Sequence, residues 1–406
     1  MPGPIRCTSE NPGKVSSIGQ PKEDAAAALP REEADLQVPL LDLGPIHRPI
    51  SNDLLQALHS VLQSNRFIGG DPLDRFEQEL ASYCNTEHAI CVSSGTDALI
   101  ASLMAFGVGP CDEVIVLTFT FFSTAGSVHR VGARIVFCDI DPITFNIDPD
   151  DFEELITDKT RAVMPVDLFG QCAEMDEIMT IARRHSIVAI EDAAQAIGAQ
   201  YRGRMAGSLG DAGCLSFFPS KNLGGIGDGG AVVTSDKEAA KRLRYLRNHG
   251  QVGAYYHMWV GGNFRMDAIQ AAALRVKLTW LEQWHEQRRD NALHYRHALA
   301  DLEDKGVLRL PVELPDRRHV FNQFVIRLNE RDELREFLTS RGIGTAVYYP
   351  VPLHLQPCFG ELGYKEGSLP RAEQASREVL ALPIYPGLSD AQRGKVIRCI
   401  REFVLR

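Results

Sequence analysis

No apolar run in this chain approaches the roughly 20 residues that a bilayer-spanning helix requires, so no membrane partner is expected. The nine cysteines are an odd number and contain no C-x-x-C pair, the usage of reduced thiols in a cytosol, where they serve as core filler. Positive charge is also short. With 43 Lys and Arg against 53 Asp and Glu the formal net charge is −10, which argues against nucleic acid as the main partner. There is no G-x-S-x-G elbow of a serine hydrolase. Among the histidines only His294 and His297 have a spacing that suits a metal pair, and they sit among Arg288, Arg289 and Arg296 without a thiol, the pattern of a solvated helix face. Met1 to about Asp35 is rich in Pro, Gly, Ala and charge and lacks an apolar core segment. It reads as a disordered extension and not as a targeting signal, so the expected location is the cytoplasm.

What is present is an ordinary globular composition, 44% apolar and 24% charged, in a chain of 406 residues, long enough for a large and a smaller domain. From about Asp53 to Trp284 short apolar runs alternate with helical patterns, the signature of a mostly parallel sheet covered by helices. Strands are expected at Ala89–Val92, Glu113–Leu117, Arg134–Cys138, Ala162–Pro165, Ile187–Ile190 and Gly213–Phe218. Helices are expected at Ala98–Phe106 and Asp176–His185, and Leu274–His297 reads as one long linking helix. Strand-like Val320–Leu328 and Thr345–Tyr349, with helical Asp332–Ser340 and Ala391–Phe403, suggest a small α+β domain. The expected division is an extension over 1–35, a large domain over 36–285 and a small one over 286–406. The early strand-like Val38–Leu41 packs with one of these domains, and the sequence does not say which.

Three segments carry chemistry. Ser93-Ser94-Gly95-Thr96-Asp97 follows a buried strand and opens a helix, which aims backbone N–H groups at an anion, although plain N-capping by Ser94 or Thr96 explains the same residues. Glu191-Asp192-Ala193-Ala194-Gln195 closes another apolar strand at the sheet edge where ligands of α/β proteins bind, and a helix cap is the alternative reading of Asp192. Ser216-Phe217-Phe218-Pro219-Ser220-Lys221 sets one lysine among apolar neighbours. Desolvation lowers a lysine pKa, and a neutral amine attacks an aldehyde such as that of pyridoxal phosphate, whose ring a carboxylate like Asp192 holds protonated. A solvated surface charge is the alternative for Lys221, but Phe217, Phe218 and Pro219 are poor surface residues. Gly225-Ile226-Gly227-Asp228-Gly229-Gly230 satisfies the dinucleotide pattern G-x-G-x-x-G, yet strand-like Ala231-Val232-Val233-Thr234 follows where a helix is required. The glycines read instead as a turn passing near the lysine.

With these segments in order, the chain from about Val38 onward resembles the DegT/StrS family of pyridoxal-phosphate sugar aminotransferases. The likeness also includes Thr120-Phe121, Asn248-His249-Gly250, Asn263-Phe264-Arg265-Met266 and Tyr349-Pro350-Val351-Pro352-Leu353-His354. It implies an α/β, aspartate-aminotransferase-like (fold type I) architecture and a homodimer with shared active sites. Pyridoxal 5'-phosphate would be attached to Lys221, with Asp192 on the pyridine nitrogen, Gln195 at the ring hydroxyl and Phe121 stacked on the ring. Gly95, Thr96 and Ser216 would hold the phosphate, Asn263 would reach in from the other subunit, and Arg265 would look into the partner's sugar site. The implied substrates are an amino-acid donor such as glutamate and a nucleotide-linked keto sugar. Val166–Asp176 and His249-Gly250-Gln251 look most like enzymes that aminate C3 of a 3-oxo sugar, notably UDP-2-acetamido-3-oxo-glucuronate, whose carboxylate an arginine such as Arg265 would pair bidentately; the α-carboxylate of the amino donor and a pyrophosphate are the alternative partners of that arginine. Thr118 stands where a proline is usual and Phe321 where a substrate-contacting tyrosine is. The alternatives are amination at C4, a sugar dehydratase, whose relatives carry histidine in place of Lys221, and a regulatory protein on the same fold.

Overall fold

The computed structural model describes residues 36–405. The expected extension over 1–35 and Cys7 lie outside the described residues, and residues from Leu36 onward form one compact unit. Its centre is a seven-stranded sheet: β1 His88–Val92, β2 Glu113–Leu117, β3 Arg134–Cys138, β4 Thr160–Met164, β5 Val188–Asp192, β6 Ala212–Ser216 and β7 Gly230–Thr234. The spatial order is β1-β7-β6-β5-β4-β2-β3. β2 pairs in parallel with β3 and β4, β4 with β5, and β5 with β6, while β7 runs antiparallel between β6 and β1. Strands buried on both faces need apolar residues at every position, and Glu113-Val114-Ile115-Val116-Leu117 is buried throughout. Because only β7 is reversed, β1, β2, β4, β5 and β6 all end on one sheet edge, and that shared edge brings together segments far apart in sequence.

The structure differs from expectation where two apolar patterns abut. The single helix expected over Leu274–His297 is two, Ala268–Leu278 and Leu281–Asp304, broken at Thr279 and Trp280. The first packs its alanines against the helices Ser51–Ser64 and Asp71–Tyr83, and the second buries Trp284, Tyr295 and Leu299. The break lets each apolar face follow its own partner. The expected domain boundary at 285/286 falls inside the second helix.

In the C-terminal part only Phe324–Arg327 of the expected strand Val320–Leu328 forms, antiparallel to Val379–Leu382. Val320 and Gln323 instead donate their N–H groups to the carbonyls of Gly170 and Phe169. Thr345–Tyr349 is not a strand either: Ala346 bridges Ala381, and Tyr348 and Tyr349 then line the cavity described below. Val38 pairs with Ile343, which attaches the early segment to the C-terminal part. Cys84, Cys91, Cys138, Cys172, Cys214 and Cys399 are buried as core filler, whereas Cys111 and Cys358 are exposed, contrary to expectation. His294 and His297 both face solvent on their helix. Among the described residues no helix is long and apolar enough to cross a membrane.

Candidate active site

A cavity of about 460 Å³ opens at the carboxyl ends of β1, β5 and β6. After β1 the chain turns through Ser93 and Ser94 into the helix Gly95–Ala105. Ser94 is the N-cap: its backbone is extended and its hydroxyl accepts the Asp97 N–H at 3.0 Å. Capping therefore falls to Ser94 and not to Thr96, whose hydroxyl pairs with that of Ser123 at 3.0 Å. The first N–H groups of a helix lack intrahelical acceptors and carry its positive end, so Gly95 and Thr96, both in the cavity wall, form an anion floor. Glycine at 95 is a steric requirement, since a Cβ there would lie 2.8 Å from the Ser216 Cβ.

Asp192 ends β5 and is only 5% exposed. Its Oδ2 accepts the Thr124 hydroxyl at 2.8 Å and its Oδ1 the Ala194 N–H at 3.3 Å. Turns, not a helix, follow at residues 194–198, so the helix-cap reading has no helix to cap. Burial pushes the Asp192 carboxyl up, while Thr124, the Ala194 N–H and the Lys221 charge pull it back toward the anion. Gln195 is clamped at both ends of its amide, accepting the Phe169 N–H at 2.7 Å and donating to the Tyr349 hydroxyl at 3.1 Å.

Lys221 follows β6 through a tight turn in which its N–H donates to the Phe218 carbonyl at 2.8 Å. Phe217 anchors that turn in the core against Phe76, but Phe218 is half exposed at the cavity wall instead of buried as its apolar character suggests. The glycine-rich segment folds back along the turn: Phe217 N–H donates to Gly229 O, and Gly225 N–H to Phe217 O. It passes straight into β7, as a dinucleotide motif does not. Desolvation lowers the Lys221 pKa to about 8, against an opposing pull from the Asp192 charge. A pKa near 8 leaves about a tenth of the amine neutral at pH 7, far more than an ordinary lysine. The cavity unites an anion floor, a desolvated amine and a buried carboxylate.

Ser216 and Phe121 also line this cavity, Phe121 with its ring largely exposed. Asn263 and Arg265 do not. Asn263 is exposed, and Arg265 donates to the Asn248 side chain beside a separate cavity that includes Arg244 and Arg247. Phe321, expected as a substrate residue, is 2% exposed, stacked on His319, and forms no part of the wall of this cavity. Its neighbour Gln323 does, and the buried Oε1 of Gln323 has no hydrogen-bond partner. Thr124, Tyr349 and Gln323 escaped sequence reasoning; the nearest signal was the Tyr349-Pro350 segment, noted for its likeness and not for a role. Thr118 donates to or accepts from His354 Nδ1 at 2.8 Å, and the far side of that ring meets Glu373, a buried chain that a proline at 118 would not make.

This sheet, with these groups at its carboxyl edge, has the architecture of a fold type I pyridoxal-phosphate aminotransferase. The sequence profile of the DegT/DnrJ/EryC1/StrS aminotransferase family matches residues 49–401, and the chain belongs to that family. It is 50% identical to the pleiotropic regulatory protein of Geobacillus stearothermophilus, over 91% of this chain and 99% of that protein. It is 45% identical to the dTDP-3-amino-3,4,6-trideoxy-alpha-D-glucose transaminase of Streptomyces venezuelae, over 91% and 97%. The crystal structure of Streptomyces venezuelae DesV, in complex with a ketimine intermediate, superposes with a TM-score of 0.89 at 44% identity, covering 91% of this chain and 99% of that one.

Proposed function

We propose that this protein transfers an amino group from an amino acid, glutamate in the first instance, to a keto group of a nucleotide-linked sugar. The observation that carries the reading is Lys221, with its pKa lowered to about 8, in one cavity with the buried Asp192 and the N-terminus of the helix Gly95–Ala105. Gly95, Thr96 and Ser216 would hold the phosphate of pyridoxal 5'-phosphate, Asp192 its ring nitrogen, and Gln195 the ring hydroxyl. Once bound, the cofactor supplies the electron sink that stabilises negative charge on the carbon losing its proton. Lys221 would hold the cofactor and, as a neutral amine, would take and return the proton at that carbon, which an ammonium does not. Phe121, in the cavity wall, would cover the ring face.

A 3-oxo sugar is favoured, in keeping with the 3-amino product named for the Streptomyces venezuelae relative. That relative's sugar is a deoxysugar and not a uronate, so the glucuronate-type substrate is the narrower reading. Asn263 and Arg265, which do not reach the cavity of their own chain, are assigned to the partner's site of a homodimer, and the smaller domain is assigned to residues 286–406. The regulatory name of the Geobacillus relative keeps a non-catalytic role in the test. Purified protein is incubated with glutamate and a panel of 3-oxo and 4-oxo sugar nucleotides, and aminated product is measured. Turnover with 4-oxo sugars alone overturns the C3 assignment, and absence of turnover across the panel, with cofactor bound, favours the regulatory reading.

A further inference from the structure

Behind Asp192 lies a second pair of carboxyls that the proposed reaction does not use. Asp167 follows β4, and its backbone is laced to Asp192: Asp167 N–H donates to Asp192 O at 3.1 Å and Asp192 N–H to Pro165 O at 2.8 Å. Its side chain is fully buried. One oxygen accepts the Ala173 N–H at 3.0 Å, and the other, Oδ2, has no donor. Glu191, also fully buried, accepts three backbone N–H groups, from Gly207 at 2.6 Å, Leu209 at 3.0 Å and Gly210 at 3.4 Å. The parallel bridge of Val166 to Asp192 sets Asp167 and Glu191 on the same face of the sheet, close enough for each to shift the other's ionisation, and no arginine, lysine or histidine among the described residues forms an ion pair with either.

Two adjacent buried carboxylates without a cation cannot both stay ionised. The donors decide which one keeps the charge. Three N–H groups converge on Glu191 and one on Asp167, and a proton on Asp167 Oδ2 would turn an orphaned acceptor into a donor to Glu191. We propose that Asp167 is a neutral carboxyl that donates its proton to the Glu191 carboxylate, a positioning pair that leaves no second free anion against the back of Asp192.

The surroundings agree. Burial and the Glu191 charge push Asp167 well above the carboxylate range. The other titratable groups facing the pair are Asp192 and the thiols of Cys84, Cys172 and Cys214, which burial keeps neutral; Arg317 lies beyond Cys172. The sign of the pH effect follows. A group whose folded pKa is raised binds a proton in the native state that the unfolded chain has released, so its contribution is complete below the unfolded pKa and is lost as pH rises through the folded pKa.

The test is denaturant unfolding of the full-length protein, with and without cofactor, between about pH 5 and pH 9, together with infrared spectra of the carboxyl stretch. Asp167→Asn keeps a donor toward Glu191 and an acceptor for Ala173. It should fold, retain turnover, lose one protonated-carboxyl band, and remove up to about tenfold per pH unit from the dependence of the unfolding constant. Glu191→Gln sets an NH₂ against backbone donors and should be destabilising. The proposal is overturned if Asp167→Asn keeps the parental slope or fails to fold, if Glu191→Gln is the tolerated change, or if the parent shows no protonated carboxyl band that this substitution removes.

Discussion

Thr124 Oγ1 donates a hydrogen bond of 2.8 Å to Asp192 Oδ2, joining the helix Ser123–Arg130 to the end of β5. That bond opposes the desolvation that would otherwise neutralise the carboxyl. We expect Thr124→Val, nearly the same shape without the donor, to fold normally and to lose roughly tenfold or more in kcat/KM, since hydrogen bonds to charged groups contribute about 1.5–3 kcal/mol. Steady-state kinetics beside a thermal melt check this. An unchanged kcat/KM would show that Asp192 holds its charge without Thr124.

The contact between Gly95 and Ser216 makes a second expectation. Gly95→Ala forces its methyl into the Ser216 Cβ, so cofactor affinity should fall by roughly tenfold while the fold is kept. Ser216→Gly removes the obstructing atoms, and the double substitution should cost less than the sum of the two single ones. Cofactor titrations on all four proteins give the coupling directly. Additive losses would place the defect elsewhere in the turn.

The lowered Lys221 pKa has a measurable sign. In the cofactor-free protein its reaction with an amine-directed aldehyde reagent should rise with pH, bend near pH 8 and level off, where a surface lysine continues to gain up to its ordinary value of about 10.4. The Asp192 charge raises that pKa, so Asp192→Asn should move the bend downward while lowering turnover far more than cofactor occupancy. Peptide-resolved labelling across pH reads it. Lys221→Ala should abolish both the labelling and almost all turnover.

Asn263 and Arg265 stand outside their own chain's cavity, which makes assembly testable. Mixing inactive Lys221→Ala with inactive Asn263→Ala/Arg265→Ala protein under subunit exchange should restore part of the activity, because one hybrid site joins an intact lysine to an intact partner loop. If exchange is shown independently and the mixture remains as inactive as its parts, the loop acts within its own chain or not at all.

The strands were legible because each is a short apolar run: Glu113–Leu117 and Arg134–Cys138 agree residue for residue with the sequence reading, and β1 and β5 differ only at their ends. Lys221, Asp192 and the Ser94–Thr96 turn were legible for a related reason, since each directly follows such a run and the chemistry of its neighbours is local. Where an apolar pattern serves two partners, as over Leu274–His297, or only one residue reaches the neighbouring strand, as Ala346 does within Thr345–Tyr349, periodicity carries no information about packing. The sequence by itself therefore determined the sheet, the lysine turn and the carboxylate at its edge. Only the tertiary structure decided that Thr124 and Tyr349 complete the site, that Phe321 stays in the core while Gln323 faces the cavity, and that Asp167 and Glu191 meet without a cation. Those outcomes depend on which surfaces are apposed across tens to hundreds of residues, and contacts at such separations leave no mark on the local pattern of a single chain.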